Sequence, residues 1–175
     1  MTGPGRPVAL VTGASAGLGA EFARQLAALR YDIVAVARRR NRLEQLASEL
    51  GDSHGVRVEV IAADLADIHA PRMIADQVAA RGLEVDYLVN NAGSAGSELI
   101  EDRDWGAHAS FLQLMMTSMA HLCHLFVPGM CERGHGRIIN VASVAGRIAQ
   151  ARDTSYGPTK AYVVALSEAG PASAC

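Results

Sequence analysis

The chain has 175 residues, half of them hydrophobic and 19% charged, with a net charge of −2. That size suits one domain with a sizeable core, the composition excludes a disordered chain, and the charge argues against a general nucleic-acid binder. No uninterrupted apolar run reaches membrane-spanning length, and "MTGPGRPVALVTG" is too short in apolar residues for a secretory signal. Three cysteines, Cys123, Cys131 and Cys175, in no framework spacing fit a reducing cytoplasm.

In chain order, "PVALVT" (7–12) reads as a buried strand ending in glycine, and Gly17 to Arg30 as a helix with Phe22, Leu26 and Leu29 on one face. "IVAVA" (33–37) is a second strand. "NRLEQLASELG" (41–51) is a helix with Asn41 as cap, Glu44 at the capping-box position, Leu43, Leu46 and Leu50 inward, and Gly51 as stop. A third strand falls in "VRVEVIAA" (56–63), and a helix runs from Asp67 to Arg81, stopped by Gly82. "VDYLVN" (85–90) is a fourth strand, followed by the loop "GSAGSELIEDRD" (93–104). A long helix spans Trp105 to about Met130, with Pro128 and Gly129 at its end. "RIINVA" (137–142) is a fifth strand, and Ser155 to Glu168 a last helix closed by Gly170 and Pro171. Strands separated by helices require parallel crossovers, so the expected fold is a single α/β domain, a doubly wound Rossmann-type parallel sheet of five strands. Ligands then belong at the carboxyl ends of the strands.

Two stretches there carry chemistry. "TGASAGLG" (12–19) joins the first strand to the first helix. Glycines at 13, 17 and 19 let backbone approach a pyrophosphate, and the helix start offers free N–H groups. At the end of the second strand, the position where NAD-binding units place a carboxylate is Ala37, followed by Arg38, Arg39 and Arg40. Lack of a carboxylate and presence of a guanidinium at Arg38 favour a 2′-phosphate, hence NADP over NAD, whereas Arg40 reads as a solvated start to the next helix.

All but one of the sixteen basic residues are arginine; the exception is Lys160, four positions after Tyr156. That spacing puts both on one helical face. A phenol titrates at about 10, and a neighbouring ammonium favours the phenolate. Ser143 follows the fifth strand, where its hydroxyl can donate to a substrate carbonyl.

With "AADL" (62–65), "NNAG" (90–93), "INVASVAG" (139–146) and "YGPTK" (156–160), these stretches resemble the short-chain dehydrogenase/reductase family in order and spacing, from near residue 7 to about 168. The resemblance implies an oxidoreductase that interconverts a small-molecule carbonyl and a secondary alcohol. Gly13, Ser15, Gly17, Leu18 and Gly19 would bind the cofactor, together with Arg38. Asp64, beside Leu65, would contact the adenine amine, and Asn90, Ala92 and Gly93 would lie along the cofactor. Ser143 would orient the substrate carbonyl and Tyr156 would transfer the proton. Lys160 would hold the nicotinamide ribose and favour the phenolate. No nucleic-acid or membrane partner is expected, and the family's habit of pairing its long helix with the Tyr–Lys helix implies a homo-oligomer.

Two departures qualify the resemblance. The family's relay asparagine falls here on Met115, which cannot serve a water, and Gln113 and Thr117 point elsewhere. After "YVVALSE" the chain gives "AGPASAC" where the family continues. The expectation is a C-terminally incomplete domain with an open edge at the fifth strand, prone to associate. A dinucleotide-binding or subunit-interaction module with impaired catalysis is therefore the alternative reading. His121, Cys123, His124, Cys131 and His135 match no standard zinc spacing, so no metal is expected. Met115, Met116 and Met119 read as packing or interface.

Overall fold

The structure, a computed structural model, describes residues 5–96, 98–148 and 153–169. Five strands, β1 (Val8–Thr12), β2 (Asp32–Ala37), β3 (Val58–Ala62), β4 (Val85–Asn90) and β5 (Arg137–Asn140), form one sheet in the order β3-β2-β1-β4-β5. Every pairing is parallel. The order reverses between β1 and β4, so the connections leaving their carboxyl ends run to opposite sides of the sheet and leave a crevice there.

Period-two alternation explains how one sheet serves two cores. Val8 and Leu10 of β1, with Val34 and Val36 of β2, face a layer that includes Ile74 and Val78 of α3 (Ala70–Ala80) and Leu122 of α5 (Ser118–Glu132). Ala9, Val11, Ile33 and Ala35 face the other way, onto α1 (Gly17–Ala28) and α2 (Arg40–His54). The inward residues of α1 are small: Gly19, Ala20, Ala23 and Ala27 join Leu26. Leu29, expected on that face, is 69% exposed because the helix ends at Ala28.

Other boundaries also shift. α2 keeps Leu43, Leu46 and Leu50 inward, but Arg39 occupies its N-cap without a side-chain capping bond, so Asn41 falls inside the first turn. Gly51 is carried within the helix. The stop is Gly55, whose φ of 62° is the left-handed conformation that glycine tolerates, and whose N–H bonds the Gly51 carbonyl. α3 begins at Ala70, because Asp67 first makes a turn, its side chain accepting from the N–H of His69.

The long helix is broken in register rather than in direction. α4 (Trp105–Leu112) passes into a π-turn (Gln113–Thr117) and then α5, which continues through Pro128 to Glu132. Pro128 and Gly129 therefore do not end it. Taken together, Trp105–Glu132 is a 28-residue helical stretch long and apolar enough to cross a bilayer by length and composition. Linear reading misses this because Gln113, Thr117, Ser118 and His121 interrupt the apolar run. Here the stretch packs on α3 and β4, burying Phe111, Met115, Met119, Leu122 and Met130. α6 (Tyr156–Glu168) lies against the π-turn and β5; Gly170 and Pro171, expected to close it, lie outside the described residues. β5 is an edge of the described sheet.

Candidate active site

Two clefts adjoin above the carboxyl ends of the strands. The first, about 530 Å³, is bordered by Gly13, Ser15 and Leu18 of the first loop, by Ala37 to Arg39 after β2, by Ala63 to Leu65 after β3, and by Asn91 to Ser94 after β4. The second, about 400 Å³, contains Met115, Val141, Ser143, Tyr156 and Lys160. Leu18, Asn91, Gly93 and Ser94 border both, so the two are continuous.

Thr12 ties the crevice together where the strand order reverses. Its buried hydroxyl donates to the Val89 carbonyl (3.2 Å) and accepts from the N–H groups of Asn91 and Ala92 (3.0 Å each). The Asn91 amide donates to the Thr12 carbonyl (3.0 Å). This clamp needs small neighbours. A Cβ on Gly13 would stand 2.7 Å from Asn91 Nδ2, and one on Gly19 would collide with the Gly13 carbonyl oxygen. Gly13 also has a φ of 68°. Gly17, φ 55°, opens α1 and faces empty space, so it serves the turn; neither it nor Gly19 borders the cleft.

At the far end of the first cleft the two arginines divide. Arg39 Nη2 donates to the Ser15 hydroxyl (3.1 Å), and Arg38 Nη1 lies 3.9 Å from Asp64. Asp64 otherwise accepts from the Ala66 N–H (3.0 Å). Arg40 pairs outward with Glu44 and borders neither cleft. Sequence reading singled out Arg38; Arg39 is the residue it missed, and adjacency to Arg38 was the only signal.

Asn90 is not beside the cleft. It is 2% exposed, and its amide donates to Asn140 (2.9 Å) and Cys123 (3.4 Å), bracing β4 against β5 and α5. Its neighbour Asn91 reaches the crevice instead. Successive strand residues face opposite ways, and "NNAG" alone does not say which asparagine faces which.

In the second cleft, Ser143 follows β5 and its Oγ accepts from the Ala145 N–H (3.2 Å), leaving the hydroxyl hydrogen to be donated. Tyr156 and Lys160 share a face of α6, with the ammonium 5.6 Å from the phenol ring centre. Lys160 is 5% exposed, donates to the Val141 carbonyl (2.7 Å), and burial lowers its pKa from the usual 10.5. The loss of hydration disfavours the charged form. Burial likewise raises the Cys123 thiol pKa, against a smaller opposing effect of the Asn90 amide. Met115 is 1% exposed in the π-turn, and its sulfur accepts from the Ser94 N–H (3.4 Å) and lies against Gly93. Among the described residues no group of three or more His, Cys, Asp or Glu could hold a metal ion.

A parallel sheet with a glycine loop at its switch point and a Ser–Tyr–Lys set at the adjoining strand end is the architecture of a dinucleotide-binding α/β domain. The family model for the short chain dehydrogenases matches residues 7–171, and the chain belongs to that family. It is 33% identical over 157 residues to the NADP-dependent 3-hydroxy acid dehydrogenase of Escherichia coli K12, a match covering 89% of this chain and 62% of that protein. A short-chain dehydrogenase from Sphingobium yanoikuyae, solved in complex with NADPH, superposes with a TM-score of 0.85 at 34% identity, covering 93% of this chain and 63% of the other. L-sorbose reductase from Gluconobacter frateurii, solved with NADPH and L-sorbose, gives 0.86 at 32% identity over 95% and 63%. The chain thus spans a little over three fifths of these relatives.

Proposed function

We propose that this chain carries the cofactor-binding and proton-handling part of an NADP-dependent oxidoreductase that interconverts a carbonyl and a secondary alcohol. One observation carries the reading: Ser143, Tyr156 and Lys160 border a cavity continuous with a cleft that ends at Arg38 and Arg39. The residues fit a dinucleotide phosphate. Gly13 borders the cleft with bare backbone, the start of α1 offers N–H donors to a pyrophosphate, and two guanidiniums with no opposing carboxylate at Ala37 suit a 2′-phosphate. The NADP and NADPH named for the relatives support the same choice over NAD.

When bound, the reduced nicotinamide supplies a hydride to the carbonyl carbon. The chain supplies the rest. Ser143 donates its hydroxyl hydrogen to the carbonyl oxygen and orients it. Tyr156 gives its phenolic proton to that oxygen in reduction and takes it back in oxidation. Lys160, fixed by Val141, places a cation beside the phenol and so stabilises the phenolate left behind. Lys160 borders the cavity, where its other N–H groups can donate to ribose hydroxyls.

Calorimetry with NADPH and NADH, followed by NADPH consumption with a panel of ketones and aldehydes, tests this. Tighter binding of NADPH and turnover of at least one carbonyl are expected; tighter binding of NADH overturns the cofactor assignment. Met115 favours a second reading, cofactor binding with impaired catalysis. It fills the relay position with a buried thioether whose sulfur is already engaged by Ser94. NADPH binding without turnover of any carbonyl in the panel would support that reading.

A further inference from the structure

The segment after β4 and the segment leading into α6 lie on either side of the active-site cleft, 56 positions apart where they touch. A hydrogen-bonded clasp joins them. Glu98 Oε2 accepts from the backbone N–H of Thr154 (3.0 Å) and from its hydroxyl (2.7 Å). Having given its hydrogen to Glu98, the Thr154 hydroxyl accepts from the N–H of Leu99 (2.9 Å). Surface loops usually spend such groups on water; here Thr154 donates two of the three bonds and accepts the third.

Both sides of the clasp are anchored. The Glu98 carbonyl accepts from the Asp102 N–H (3.0 Å), and buried His108 on α4 sits 3.0 Å from the Asp102 carbonyl oxygen. Gly96 lies against the Phe111 ring, where a Cβ would come within 2.8 Å. On the other side Asp153 accepts from the Gly157 N–H (2.8 Å), closing the first turn of α6, and Ser155 is buried. Tyr156 is the first residue of that helix.

We propose that Glu98 and Thr154 are positioning residues for Tyr156: their clasp fixes the start of α6 and thereby where the phenol stands relative to Ser143 and Lys160. The proposal rests on the reading of Tyr156 as the proton-transfer group. Helix ends fray first, because their N–H groups lack intrahelical partners. A catalytic side chain on the first residue of a helix therefore needs an external hold. Lys160 lies a full turn further in and is held separately by Val141. Losing the clasp thus loosens the phenol and leaves the cofactor side of the site in place.

The test uses the 175-residue chain and the variants Thr154→Val, which keeps the shape and removes the hydroxyl, Thr154→Ser, which keeps the hydroxyl, and Glu98→Ala. Amide hydrogen exchange, NADPH affinity and carbonyl turnover are measured on each. In Thr154→Val and Glu98→Ala, exchange over residues 153–158 should quicken by about tenfold, with β1 and β2 and NADPH affinity unchanged. In both, kcat should fall by about ten- to a hundredfold with the KM for NADPH unmoved. Thr154→Ser should restore both, and the double variant Thr154→Val with Glu98→Ala should be no worse than either single one. Parent-like exchange and kcat in Thr154→Val, equal impairment in Thr154→Ser, or a loss of NADPH affinity in step with kcat would each overturn the clasp. If the unsubstituted chain binds NADPH and turns over no carbonyl, the catalytic reading fails, and the exchange of residues 153–158 alone decides whether the clasp holds the start of α6.

Discussion

The two halves of the cleft are built by different means. The half around Gly13 and Leu18 is made of backbone and small side chains, and its closest contacts, Gly13 and Gly19 against Asn91, leave no room for a Cβ. The half around Ser143 and Tyr156 is made of functional side chains held by long-range bonds: Lys160 to Val141, Glu98 to Thr154, Asn90 to Asn140. A site that grips a polyanion needs N–H groups and space, which a turn supplies locally. A site that moves a proton needs particular atoms at particular distances, which only converging chain segments supply.

The sharpest break between the halves is Tyr156→Phe. It should lower turnover by about 10²–10⁴-fold while leaving NADPH affinity as it was, read by steady-state kinetics beside calorimetry. An equal loss of cofactor affinity would mean that the halves are not separable.

The counterpart in the first half is Gly19→Ala. Its methyl group meets the Gly13 backbone carbonyl and the Asn91 side-chain Nδ2, neither of which can yield without moving the Thr12 clamp. A stability loss of about 1–3 kcal/mol is expected, seen in denaturant melts, with weakened NADPH binding. Arg39→Ala and Arg38→Ala come next. Each removes a charged donor at the phosphate end, and a charge-assisted hydrogen bond contributes about 1.5–3 kcal/mol. NADPH affinity should therefore drop by roughly ten- to a hundredfold, NADH affinity should stay level, and Arg40→Ala should leave both untouched.

Met115→Asn stands on the border of the two halves. It replaces a buried thioether by an amide that can hold a water, so turnover should rise modestly while the melting temperature falls from lost apolar burial. Unchanged turnover in a variant that still binds NADPH would show that proton supply does not limit the rate.

The smallest effect concerns pH. Burial lowers the Lys160 pKa below 10.5, so the unfolded chain holds that proton more tightly than the folded one. Stability from this group therefore rises with pH between the lowered folded value and 10.5, where the unfolded state binds more protons. Lys160→Met should abolish that rise: its stability relative to the parent is greatest at neutral pH and declines as pH climbs through the window. Thermal melts across alkaline pH check this, and a Lys160→Met stability that rises relative to the parent as pH climbs would reverse the sign.

The sequence by itself determined the five parallel strands, the inward residues of α2, the glycine loop and the pairing of Tyr156 with Lys160. Each is a local regularity: an alternation of two, a helical spacing, or a residue type that a turn requires. Local signals did not determine that α2 runs through Gly51 to Gly55, that α5 runs through Pro128, or that Leu29 stays exposed, since tertiary packing and turn geometry override single-residue cues. Nor did they tell Asn90 from Asn91 or Arg38 from Arg39, because neighbours in sequence differ only in the direction that the fold gives them. The stretch 93–104, which the sequence marks only as a loop, either on the surface or at a substrate site, is tied to the start of α6 by Glu98 and Thr154. Only the tertiary structure decided that, since a carboxylate and a hydroxyl far apart in the chain carry no periodic signature of their meeting.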